Sequence, residues 1–363
     1  MQNFSSHGLT VKNIDLSSKC WVVRPGVRYR FINEFIEDGF IATAHLDDVD
    51  LTQDDIDELR YAEGEHIYTL CTKFNPELSN NTRAQVISFV KDMSEGDVVF
   101  TLSGGFVYPG IVKSAPYLEM LPLSKDENFQ VRRKVAWGDR IERDKIPVTL
   151  SKSFTAYQAV FSLGGNSKEI HHWLNSFFIS DERFCASLRV EQRAALSHHA
   201  LKNLSEIMDR VEVLSRLIGS EESSELFDAT APYRSDALKK AMAEFACQGI
   251  LSLKQQQLTM SPGDIWYELP TKCKRTGVIF MVTMAMLFSQ SVAFADPALA
   301  EISREVSPIV QKSLEEIKEG VDFQSVQREL WLNVPAQNEE FVKQDSNVSD
   351  DFPDDESSPY SVN

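Results

Sequence analysis

No two of the five cysteines, Cys20, Cys71, Cys185, Cys247 and Cys273, stand at CxxC spacing, and their number is odd. That pattern excludes a disulfide framework and a thiolate zinc cluster, and it fits a reducing compartment. The first residues, MQNFSSHGLTVKN, lack the basic-then-apolar order of a secretory signal. The chain has no Walker-type phosphate loop, no HExxH, no G-x-S-x-G and no internal repeat. The pairs His171-His172 and His198-His199 diverge as neighbours on a helix or a strand, and no acid or cysteine completes an i, i+4 set. No catalytic residue, metal ligand or cofactor is therefore expected, and the sequence does not announce an enzyme.

Charge is plentiful but uneven. The net charge of −17 divides into −5 for residues 1–165, −1 for 166–295 and −11 for 296–363. The last stretch, QDSNVSDDFPDDESSPYSVN, has too little apolar surface to offset the entropy of ordering, so 336–363 is expected to be a disordered acidic tail. Charge is absent from 277–295, GVIFMVTMAMLFSQSVAFA, which follows Lys272, Lys274 and Arg275. At about 1.5 Å per residue such a run just crosses a bilayer core of about 30 Å. The basic flank would hold the preceding part in the cytoplasm. A single transmembrane helix in a bacterial inner membrane is expected, the alternative being a core helix of a cytoplasmic protein. Ala293-Phe294-Ala295 before Asp296 also imitates a signal-cleavage site.

Residues 1–165 read as an α+β module. Runs such as CWVVR, DVVFTL, FVYPGIV and YQAVFSL are rich in β-branched and aromatic residues, and Ser103-Gly104-Gly105 marks a hairpin. Thr52 reads as an N-cap followed by Asp54 and Asp55 in the first turn. Residues 166–271 read as mostly helical, with a long amphipathic helix over 194–218 and another over 234–247. Residues 296–335 carry a further amphipathic stripe, Leu299, Ile302, Val306, Ile309 and Val310.

Three features of the first module stand together: the opening strand WVVRPG at 21–26, the pair EGDVVFTLSGGFVYPGIV at 95–112, and the basic strand FQVRRKVAW at 129–137. With GFIAT at 39–43 they make residues 19–163 resemble the PUA-like, EVE-related domain at the N-terminus of Mrr-type restriction endonucleases and other bacterial phage-defence proteins. Phe129 stands where that family usually has histidine. The resemblance implies a small β-barrel that reads DNA or RNA, often as a modified or flipped base held between aromatic walls. A flipped base needs ring faces, polar groups for its edge and cations for its phosphates. Trp21, Tyr108, Tyr117 and Trp137 are candidate faces, and Arg24, Arg132 and Arg133 candidate edge or phosphate contacts.

Enzymes of that family add a metal-dependent nuclease, which needs Glu or Gln two residues before Lys on a buried strand. Glu316-Ile317-Lys318 has the spacing but lies in SLEEIKEG, an exposed-helix pattern, and Glu268 and Lys272 stand too far apart. The expected protein is a defence-type sensor: a PUA-like nucleic-acid reader, a helical relay or oligomerisation domain, and a membrane-anchored C-terminal part. The alternatives are a soluble modified-DNA-binding subunit working with a separate nuclease, and a divergent restriction-type nuclease.

Overall fold

The computed structural model describes residues 9–74, 76, 78–125, 127–219, 233–258 and 263–334. Strand β1 (Leu9–Asn13) comes first among the described residues, but it joins the second of two sheets. The first sheet takes β2 (Cys20–Val23), β3 (Phe40–Thr43), β4 (Val98–Leu102), β5 (Phe106–Val112), β6 (Tyr117–Leu118), β7 (Val131–Trp137), β8 (Ile141–Glu142) and β9 (Val160–Ser162). It curls in the order β3-β7-β5-β4-β2-β9, with β6 added to β7 and β8 to β5. The Ser103 turn closes the β4–β5 hairpin, the Ser103 amide donating to the Phe106 carbonyl at 2.9 Å.

Helices α1 (Ile32–Glu37), α2 (Gln53–Tyr61), α3 (Glu65–Phe74) and α4 (Asn80–Ile87) cover this sheet, and α5 (Val148–Ser151) precedes its last strand. Thr52 caps α2 as the sequence indicates: its hydroxyl accepts from the Asp55 amide at 3.3 Å, and Asp55 accepts the Thr52 amide at 2.9 Å.

The second lobe begins with α6 (Ser167–Leu174), β10 (Phe177–Ser180), β11 (Arg183–Val190), α7 (His198–Gly219), α8 (Ser235–Gln248), β12 (Lys254–Leu258) and β13 (Gly263–Pro270). It continues with α9 (Lys274–Leu287), β14 (Val292–Phe294), α10 (Pro297–Lys318), α11 (Phe323–Leu330) and β15 (Leu332–Asn333). The sheet order is β12-β13-β11-β10-β1-β14, with β15 on β11. Helix α6 serves both lobes. Its Trp173 stacks on Phe100 of β4 at 5.7 Å, and its His172 stacks on Trp266 of β13 at 4.8 Å.

Two expectations are corrected here. The fold class is mixed α/β with curled sheets, rather than an α+β barrel followed by a mostly helical domain, because 166–271 contributes four strands to the second sheet. No helix among the described residues is long and apolar enough to cross a membrane. The uncharged run divides instead into α9 and β14, separated by Ser289 at φ 58°. Helix α9 has 14 residues; at about 1.5 Å each it falls well short of a bilayer core. Its residues 276–285 and Leu287 are all buried, packed among α7, α10 and β11. A helix apolar on every side belongs either in lipid or at the centre of a large core, and this one is central. The A-x-A stretch falls at β14, whose Phe294 is buried and which pairs in parallel with β1. The acidic segment 336–363 lies outside the described residues.

Candidate functional site

Most residues that the sequence offers for nucleic acid have internal partners. Trp21 on β2, Tyr108 on β5 and Trp137 on β7 belong to one apolar cluster and are 2%, 7% and 3% exposed. The Trp21 indole donates to Asp97 Oδ2 at 2.8 Å, and that carboxylate also accepts the backbone amides of Lys19 and Ser94. The Trp137 indole donates to the Phe35 carbonyl at 2.6 Å. Arg132 and Arg133 point to opposite faces of β7, as strand alternation requires, and both are buried. Arg132 donates to the carbonyls of Phe129 and Leu121. Arg133 donates to those of Phe89, Val90 and Ser114; burial, the main cause, lowers its pKa to about 10. Tyr117 sits half-buried on β6, where burial pushes its phenol upward.

Arg24 is different, and the loop after it explains why. Gly26 takes φ +80°, and a Cβ there would meet the Phe31 ring at 2.8 Å. Arg28 and Tyr29 both adopt left-handed backbone, at φ 53° and 60°, conformations that persist only where surrounding contacts impose them. This turn brings Tyr29 back over Arg24. The Tyr29 hydroxyl accepts from Arg24 Nη1 at 3.3 Å and from Arg143 Nη2 at 3.0 Å. The two guanidinium carbons lie 5.9 and 5.4 Å from the Tyr29 ring centroid. Burial raises the Tyr29 pKa, but the bonds and charges of Arg143 and then Arg24 outweigh it and leave the phenol below its ordinary value.

The two arginines play unequal parts in this cluster. Arg24 is fixed by the carbonyls of Phe154, Ala156 and Gln158. Arg143 uses Nη2 on Tyr29, and its buried Nε has no partner among the described residues. Between Ala156 and Gln158, whose carbonyls clamp Arg24, the Tyr157 side chain is fully exposed. Arg28 is exposed nearby, and Arg140 lies over Phe106 at 4.5 Å. Clustered cations beside an unpartnered aromatic are what a phosphodiester strand with unstacked bases requires. Of this group the sequence marked only Arg24. A tyrosine among three arginines in RPGVRYR was a local signal for Tyr29, whereas Arg143 meets it from 114 residues away.

A second polar region lies around α6. A cleft of about 980 Å³ is lined by Lys12, Lys19, Lys113, Asp92, Glu95 and Asp97 together with His171. Its mixed charges give phosphate no net attraction. Beside it, His172 Nδ1 lies 2.9 Å from the Ser187 hydroxyl, and its Nε2 faces Glu268 Oε1 at 3.7 Å. Glu268 forms an ion pair with Lys168, so its cationic partner is 100 residues upstream rather than Lys272. No set of three His, Cys, Asp or Glu among the described residues is placed to hold a metal ion.

Acid stability follows from this region. Burial first, then the neighbouring His172, brings the His171 pKa down to about 4. Burial likewise lowers His172, against the pull of Glu268. Both imidazoles therefore hold a proton less readily in the folded chain than in the unfolded one, where they regain an ordinary value near 6.5. Between pH 6.5 and 4 the unfolded chain binds more protons, so stability falls as pH falls through that window. Glu268, held down to about 2 chiefly by His172 and also by Lys168, adds a second loss from about 4.5 downward. The urea midpoint should therefore drop between about pH 7.5 and about pH 5, and less so in His171→Gln. Equal midpoints across this range would contradict the assignment.

Comparison of the chain with protein-family models, curated proteins and solved structures finds no match.

Proposed function

We propose that the first lobe is a PUA-like nucleic-acid reader and that the protein is a specificity subunit of a bacterial defence system, binding modified DNA and acting with a separately encoded nuclease. The observation that carries this reading is the Arg24–Tyr29–Arg143 cluster beside exposed Tyr157. Arg24 is also the arginine of the WVVRPG strand on which the family resemblance rests. In this reading Arg143 contacts a phosphate, Tyr157 stacks on an unpaired or flipped base, and Arg24 holds the platform in place. The Tyr29 hydroxyl gathers the two guanidiniums, whose combined positive charge attracts a phosphodiester.

The test is fluorescence anisotropy with labelled single- and double-stranded oligonucleotides, with and without a modified base, at about 50 and about 200 mM salt. Arg143→Ala should weaken binding about tenfold and reduce the salt slope by about one. Tyr157→Ala should weaken binding by about 1–3 kcal/mol with the slope unchanged. Absence of binding to every oligonucleotide at the lower salt would refute the reader assignment.

A further inference from the structure

We propose that residues 154–160 form a rigid, open stacking platform for nucleic acid that is already single-stranded, and that Gln85 is the positioning residue for its Tyr157 ring. This rests on the reader assignment above and names the form of nucleic acid the site takes. Two residues distant in sequence hold the backbone of this stretch. Arg24 takes the carbonyl side: its guanidinium donates to Phe154, Ala156 and Gln158, and its own amide donates to the Ala159 carbonyl at 2.8 Å. Gln85, on α4 and 6% exposed, takes the amide side: its Oε1 accepts from Ala159 and Val160 at 2.8 and 3.0 Å. The same oxygen faces His45 Nε2 at 3.3 Å, and the Gln158 side-chain amide donates to Asn81 Oδ1 at 2.9 Å, one helical turn before Gln85. Val160 then enters β9 and pairs with Val23 of β2.

This clamp fixes a segment whose central side chain, Tyr157, is fully exposed. Burial stabilises an aromatic side chain, so a ring left wholly in water on an ordered backbone gains the fold nothing. Holding the backbone in advance does favour a ligand, because a loose loop would lose its freedom on binding. Full exposure also selects which ligand. A flipped base is enclosed in a snug pocket, stacked between side chains. The rings that could have built such walls, Trp21, Tyr108 and Trp137, lie in the core of the first lobe. Tyr157 presents an open ring instead, and bases of a single strand stack on open rings with little regard to sequence. In a duplex those base faces are covered by their neighbours. Through the shared Tyr29 hydroxyl, Arg24 links the platform to Arg143, so ring and cation are held in one frame.

The test is fluorescence anisotropy of the full chain with a fluorescein-labelled oligothymidine and with duplexes of the same length, plain or carrying one methylated cytosine. The single strand should bind at least about tenfold more tightly than either duplex. Gln85→Leu removes the acceptor and should weaken single-strand binding about tenfold, with the salt slope unchanged because no phosphate contact is lost. Gln85→Glu keeps the acceptor and should stay within about threefold of the unsubstituted chain. In a Tyr157→Ala background Gln85→Leu should add no further loss. Hydrogen exchange reads the clamp without a ligand: the Ala159 and Val160 amides should exchange at least about tenfold faster in Gln85→Leu, and not in Gln85→Glu. A duplex bound as tightly as the single strand overturns the single-strand assignment while the reader assignment stands. Additive losses from Gln85→Leu and Tyr157→Ala, or unchanged exchange, overturn the positioning role. If no oligonucleotide binds, the reader assignment falls and this proposal with it.

Discussion

Gly277→Val is expected to destabilise the second lobe strongly. A Cβ at Gly277 would lie 2.2–2.3 Å from three carbons of the Phe184 ring, well inside contact distance. Phe184 is 3% exposed on β11, and Gly277 sits in the first turns of buried α9, so neither ring nor helix has room to retreat. Overpacking usually costs about 1–3 kcal/mol and sometimes more; with three such overlaps the expected loss is about 3 kcal/mol or greater. That is a large share of the roughly 5–15 kcal/mol by which a domain is stable. The measurement is the urea midpoint, with soluble yield as a second readout. The same substitution adds only apolar surface to a membrane-spanning segment, where it is harmless. An unchanged midpoint would therefore count against the packing described for α9.

The second large effect is expected at Arg133. As a DNA contact, Arg133→Ala would weaken binding and reduce the salt slope while leaving the fold intact. In the folded protein the guanidinium is 1% exposed and joins the end of the helical segment at Phe89 and Val90 to the Ser114 loop. Alanine leaves three carbonyls without a donor and opens a cavity against the Phe89 ring, which lies 5.8 Å from the guanidinium carbon. Stranded buried polar groups cost about 1–3 kcal/mol each, so a loss of about 3 kcal/mol or more is expected. Thermal unfolding followed by circular dichroism checks it. Intact stability with weakened oligonucleotide binding would restore the contact role that the sequence indicated.

These two positions show where a linear reading stops. Residues Trp21, Trp137, Arg132 and Arg133 have the residue types of a nucleic-acid site, but type does not say which side of a curled sheet a side chain takes. Strand alternation placed Arg132 and Arg133 on opposite faces; only the surroundings made both faces interior. Glu268 was set aside because Lys272 stands too far from it for the nuclease spacing, yet α6 brings Lys168 to it. Arg143 likewise reaches Tyr29 only through the curl of the first sheet. Hydropathy alone left α9 ambiguous, because the centre of a large core and a bilayer are both apolar on all sides of a helix.

By itself the sequence determined what local chemistry controls. It marked the strands of the first lobe through their β-branched runs, the Thr52 cap, the Ser103 hairpin, the long amphipathic helices, and the concentration of negative charge beyond residue 296. These depend on neighbours a few positions apart, so periodicity and turn chemistry reveal them. Tertiary structure alone decided that the uncharged run is a central helix followed by a short strand, that β1 crosses into the second sheet, and that Arg24, Tyr29 and Arg143 meet. Each of those outcomes depends on contacts between residues far apart in sequence, where burial and pairing are set by what the chain packs against.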